Sequence, residues 1–127
     1  MLTKHLFLAQ VQYVRGGDYT PGIWPNHRAI TIVNNTISNA AYLPVLITSA
    51  TEVTIVNNRI INALCSAPAV GSTLAFVPKG ALMFVENTVN VGFSGNTFSY
   101  TAPNCGVYGD YAAPIKIGVN VTGVTGL

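Results

Sequence analysis

Apolar and polar residues alternate strictly in four short stretches of the chain. Ile30 and Ile32, Val53 and Ile55, Val91 and Phe93, and Ile115 and Ile117 are each separated by one residue. A period of two puts these side chains on one face of an extended strand, and Val, Ile, Thr and Phe have the matching propensity. The stretches are also alike in their residues. Ala29-Ile-Thr-Ile-Val-Asn-Asn-Thr-Ile37 returns as Glu52-Val-Thr-Ile-Val-Asn-Asn-Arg-Ile60, then as Asn90-Val-Gly-Phe-Ser-Gly-Asn-Thr-Phe98. Pro114-Ile-Lys-Ile-Gly-Val-Asn-Val-Thr122 follows in the same frame. The equivalent asparagines, Asn35, Asn58, Asn96 and Asn120, are spaced 23, 38 and 24 residues apart. The long interval is a 23-residue unit with an insertion of 15, placed at about residues 64–80. Self-similarity at a fixed period marks a repeat architecture.

A second strand precedes each copy. Ile47 lies six residues before Val53 as Val85 lies six before Val91, and Trp24 and Gly109 hold the same offset before Ile30 and Ile115. Each unit therefore reads as strand, short turn, strand, asparagine-bearing turn and a third short segment such as Thr36-Ile37 or Arg59-Ile60. The asparagine suits a sharp bend because it tolerates left-handed backbone angles. With units stacked about 4.8 Å apart, amides at one position can bond one another in a ladder. An antiparallel meander would instead place Asn-Gly pairs between short strands and would keep no 23-residue period. The expected fold is all-β: a parallel β-helix, or solenoid, of about four to five coils in a single domain, residues 1–127, with regular coils over about 22–122.

Val53-Thr-Ile-Val-Asn-Asn-Arg-Ile60 and its three relatives resemble the right-handed parallel β-helix proteins of the pectin-lyase-like superfamily. The motif is specific for that fold and not for an activity. The resemblance implies right-handed coils and a carbohydrate-active, extracellular protein. This chain would then be the non-catalytic C-terminal coils of a glycoside hydrolase or polysaccharide lyase. A structural or glycan-binding β-helix module without catalysis is the alternative.

Composition narrows the chemistry. Only 8% of the 127 residues are charged, against roughly 25% in ordinary domains. The six basic residues are scattered, so no phosphate-tracking stripe exists and nucleic acid is not the expected partner. No apolar run is long enough for a membrane-spanning helix, and the N-terminal run reads better as a first-coil strand than as a signal peptide. A polysaccharide or glycan is the expected ligand, with end-to-end self-association or further upstream coils covering the open ends of the stack. Glycosylation sequons at Asn34-Asn35-Thr36 and Asn120-Val121-Thr122 suit an extracellular chain.

Four carboxylates, Asp18, Glu52, Glu86 and Asp110, are too few and too dispersed to suggest a metal site, and no cofactor motif is present. Glycoside hydrolysis needs two carboxylates converging at about 5 to 9.5 Å, and the repeat frame stacks no two of them. The candidate catalytic residues are Asp18, His27, Arg28 and Glu86. In Asn26-His27-Arg28 the imidazole can carry a proton and the guanidinium can grip a carboxylate, although a solvated turn fits the same residues. Cys65 lies seven residues after Asn58 and Cys105 nine after Asn96, which places both on one side of successive coils within disulfide reach. Two buried unpaired thiols fit the same offsets. Tyrosines near the turns (Tyr13, Tyr19, Tyr42, Tyr100, Tyr108 and Tyr111) offer rings for stacking on sugars, whereas Trp24 reads as core or cap.

Overall fold

The structure is a computed structural model that describes residues 3–4, 9–10, 27–66 and 77–127. Asp18, Trp24, Tyr13 and Tyr19 lie outside the described residues. In chain order the elements are β1 (Thr3–Lys4), β2 (Ala9–Gln10), β3 (His27–Val33), β4 (Thr36–Ala40), β5 (Val45–Val56) and β6 (Arg59–Ala63). There follow β7 (Met83–Ser94), β8 (Thr97–Ser99), the short helix α1 (Cys105–Tyr108), β9 (Ile115–Ile117) and β10 (Val121–Thr125). The protein is all-β, and every strand pair among the described residues is parallel.

The strands form two sheets. One runs β1-β4-β6-β8 and the other β10-β7-β5-β2, with β3 also on β5 and β9 also on β7. Repeating residues meet in register. Ile30, Val53 and Val91 are successive partners, as are Ile32, Ile55 and Phe93, and as are Ile37, Ile60 and Phe98. Parallel neighbours cannot be joined by a tight hairpin, so the chain must travel away and return between them. Here it does so by crossing to the other sheet.

Side chains of both sheets meet in one core. Ile37 and Ile60 from the first sheet pack with Val45, Ile47, Ile55, Met83, Val85 and Val91 from the second, each at most 1% exposed. Fully burying an aliphatic side chain is worth about 1.5–3 kcal/mol, so this file is the main source of stability. Opposite Val45, Ile47 and Met83, on the other face, Leu43, Leu46, Ala81 and Phe84 form a second apolar cluster.

The fourth copy of the repeat does not fall where its alternation suggested. Ile115 and Ile117 pair with Met83 and Val85, not with Val91 and Phe93, and it is Val121 and Val124 that align with Thr88 and Val91. The reason is that each long strand carries two alternating runs, one before and one after its central bend, and either fits an Ile-Lys-Ile triplet. Gly109 accordingly precedes no strand of the expected kind. The strand beside the first half of β5 is Ala9–Gln10.

Candidate functional site

The bends are built from residues with left-handed backbone angles at matching positions. Asn34, Asn57 and Gly95 have φ near +60° in the turn after the second alternating run. A Cβ at Gly95 would collide with the Asn57 side-chain oxygen, so glycine serves both the angle and the close approach. The asparagines that follow, Asn35, Asn58 and Asn96, do a different job. Both the backbone N–H and the Nδ2 of Asn35 donate to Asn58 Oδ1, at 3.0 and 3.2 Å. Asn58 donates in the same two ways to Asn96 Oδ1, each at 3.0 Å. The second amide proton of Asn58 goes to Ile32 O at 2.9 Å, and that of Asn96 to Ile55 O at 2.9 Å. Bending and laddering are thus divided between adjacent residues, rather than combined in one.

Asn120 is not in this file. Its Nδ2 donates to Asn87 Oδ1 at 3.1 Å, across 33 residues. It belongs to a separate bend, with Ser49 and Asn87, where all three backbones are left-handed. A further amide, Asn62, went unnoticed in the sequence. It donates to Asn39 Oδ1 at 3.3 Å and to Thr101 Oγ1 at 3.0 Å, and its Oδ1 accepts from the N–H groups of Thr101 and Ala102. The signal was available: Asn39 and Asn62 are 23 residues apart, like Asn35 and Asn58.

Beyond Asn62 the chain leaves the repeat, and so does the chain beyond Ser99. These two excursions meet on one flank. Cys65 and Cys105 form a disulfide, and Asn104 donates to Cys65 O at 3.2 Å. The Tyr111 hydroxyl accepts from Ala63 N–H at 3.0 Å and donates to Ala63 O at 2.7 Å. Partial burial raises the Tyr111 pKa, which keeps that donor protonated. Asp110 N–H donates to Gly80 O at 2.9 Å. The Asp110 carboxylate accepts from Lys116 Nζ at 2.8 Å and from Ala113 N–H at 3.0 Å. These bonds, Lys116 first, hold its pKa below the usual aspartate value.

The structure does not gather the remaining catalytic candidates. His27 lies half-buried beside Ala50 and Arg28 exposed beside Thr51, both on one side of β5. Glu86 is buried on the other side of β5, beside Thr48. Glu52 is exposed at a left-handed position of β5, and Asp110 is committed to Lys116. Hydrolysis by paired carboxylates requires convergence, and the described carboxylates occupy separate surroundings. Among the described residues no group of three or more His, Cys, Asp or Glu is placed to hold a metal ion, and no helix is long and apolar enough to cross a membrane. What the described surface offers instead is aromatic: Tyr42, Tyr100 and Tyr108 are exposed, the last two on the flank built by the excursions. Comparison with family models, with curated proteins and with solved structures finds no match to this chain.

Proposed function

We propose that the chain is a stretch of right-handed parallel β-helix similar to those of the pectin-lyase-like superfamily, and that it serves as a carbohydrate-associated module which binds a glycan without cleaving it. The observation that carries the fold reading is the register. Residues of the repeat sit beside their own equivalents across parallel strands, at offsets of 23 and 38 residues, which is how one solenoid coil lies on the next. Right-handedness follows the general preference for crossovers between parallel strands.

The reading of function rests on chemistry. Separated carboxylates favour binding over hydrolysis, and exposed tyrosines beside neutral polar side chains favour sugar over nucleic acid or lipid. The Cys65–Cys105 bond favours an oxidising, extracellular setting. The strand edges of β8, β9 and β10 are where further coils or a second copy would stack. In this reading the module forms the coils that follow the catalytic part of a hydrolase or lyase, and it contributes binding.

The test pairs binding with turnover. Purified oxidised protein is run in affinity gels containing pectin, galactan, xylan or β-glucan, and the same polymers are assayed for new reducing ends. Retardation in at least one gel without release of ends is expected. Reproducible turnover that Glu86→Gln abolishes would replace the module with an enzyme. Unretarded migration in every gel would remove the carbohydrate reading.

A further inference from the structure

Tyr100 is 49% exposed, yet its ring is held from two directions. On one side Gly106 of α1 approaches so closely that a Cβ there would lie 2.5 Å from the ring's Cε2. On the other, the ring of Tyr111 packs against it, with centroids 4.8 Å apart and planes tilted by 55°. Tyr111 is itself fixed through both hydrogen bonds of its hydroxyl to Ala63, and Gly109 leaves room for its ring, since a Cβ there would fall 2.7 Å from Cε1. The disulfide at Cys105 ties α1 to the neighbouring excursion.

A ring left half in water gains little from burial. One that is ordered in advance, however, lowers the entropy lost when a ligand stacks on it. We infer that the open face of Tyr100, with Tyr108 of α1 nearby in sequence, is a stacking subsite for a neutral sugar ring. This rests on the glycan-binding reading and gives it a location. The C–H face of a pyranose is apolar and matches the ring, while its rim hydroxyls match the phenol and backbone groups around it. The neutral character of the ligand follows from charge. Asp110 is the one charged residue between Tyr100 and Tyr111, and Lys116 pairs with it. Lys79 on the other excursion is a single exposed ammonium, not the bidentate fork that selects carboxylates.

Calorimetric titration of the oxidised protein with cellohexaose, xylohexaose and hexagalacturonate tests this, with disulfide mapping confirming that each variant keeps Cys65–Cys105. Binding of a neutral hexaose is expected, weakened about ten-fold or more by Tyr100→Ala and held within about two-fold by Tyr100→Phe, which keeps the ring. Gly106→Ala should also weaken it about ten-fold, because the added methyl displaces a ring that is still present. If Tyr100→Ala loses the disulfide, Gly106→Ala and Tyr100→Phe decide. Unchanged affinity in Tyr100→Ala or Gly106→Ala, in a protein that binds a hexaose, overturns the subsite and leaves the glycan-binding reading intact. A preference for hexagalacturonate overturns the neutral assignment. Absence of binding to all three removes the subsite together with the reading it rests on.

Discussion

The body of the protein and its disulfide-bearing flank are held together in opposite ways. In the body one arrangement recurs. Asn35 bonds Asn58 as Asn58 bonds Asn96, and Ile32, Ile55 and Phe93 lie beside one another in the core. On the flank no bond occurs twice: a disulfide, a tyrosine hydroxyl on Ala63, and an ion pair between Asp110 and Lys116. In a repeated file each member serves the one above and the one below, so a defect reaches three layers. A single-use bond fails alone. The body should therefore lose stability as a unit, whereas the flank should open locally.

Asn58→Ala should break this contrast most forcefully. Asn58 is 0% exposed, and its side chain serves Asn35, Ile32 and Asn96 at once. Truncation leaves the Asn35 N–H and Ile32 O without their partner, at about 1–3 kcal/mol for each buried group, and opens a void. A loss of about 4 kcal/mol is expected in denaturant unfolding, with strands β3, β5 and β7 losing amide protection together. Loss confined to β3 would show that the file is not cooperative.

Removing the disulfide should come next. It closes a loop across a sequence separation of 40, and the chain-entropy account gives about 3–4 kcal/mol for such a loop. The paired Cys65→Ser and Cys105→Ser variant should lose roughly 3 kcal/mol. Its exchange pattern should differ in kind from that of Asn58→Ala, with amides of residues 101–111 opening while β5 and β7 stay protected at low denaturant. Equal loss in body and flank would mean that the two regions form one cooperative unit.

This difference also explains what could be read from the chain beforehand. Alternation and the Val-Asn-Asn signature revealed the strands and placed Asn35, Asn58 and Asn96 at equivalent positions, because those positions obey a rule that repeats. The Asn120 assignment went astray because two alternating runs flank each central bend and both are followed by an asparagine. Ile115-Lys-Ile117 matched the wrong one. The flank was illegible for another reason. Tyr111 reaching Ala63, or Asn62 capping Thr101 and Ala102, follows from where two excursions happen to meet, and no period encodes that. The glycines around Tyr108, which seat two rings, were visible only as turn residues until those rings had neighbours.

Ser49 sharpens the contrast from within the body. It shares a bend with Asn87 and Asn120, whose amides bond each other, yet the buried Ser49 hydroxyl has no partner. Its backbone is already left-handed, an angle asparagine accepts. Ser49→Asn should therefore extend the short file by one member and raise stability by about 1 kcal/mol, the usual net worth of a made hydrogen bond. A fall of similar size would mean that the longer side chain is crowded and that this bend tolerates only a small residue.

The smallest effect belongs to Asp110, and its sign separates the regions by pH. Bonds from Lys116 and then from Ala113 lower the folded pKa of its carboxyl from the ordinary 3.8. A carboxylate whose pKa is lower in the folded state contributes stability that is fully present above 3.8 and lost as pH falls through the folded value. The Asp110 and Lys116 side chains are 40% and 25% exposed, so salt should weaken the contribution further. No amide of the Asn35–Asn58–Asn96 file titrates in that range. Acidification should therefore loosen the Ala113 N–H, and the Asp110 N–H that bonds Gly80, before it affects β5 or β7. Asp110→Asn, which keeps the acceptor for Ala113 and removes the charge, should be less stable than wild type at neutral pH and converge with it in acid. Persistence of the gap between the two proteins in strong acid would show that the side chain acts there through shape and not through charge.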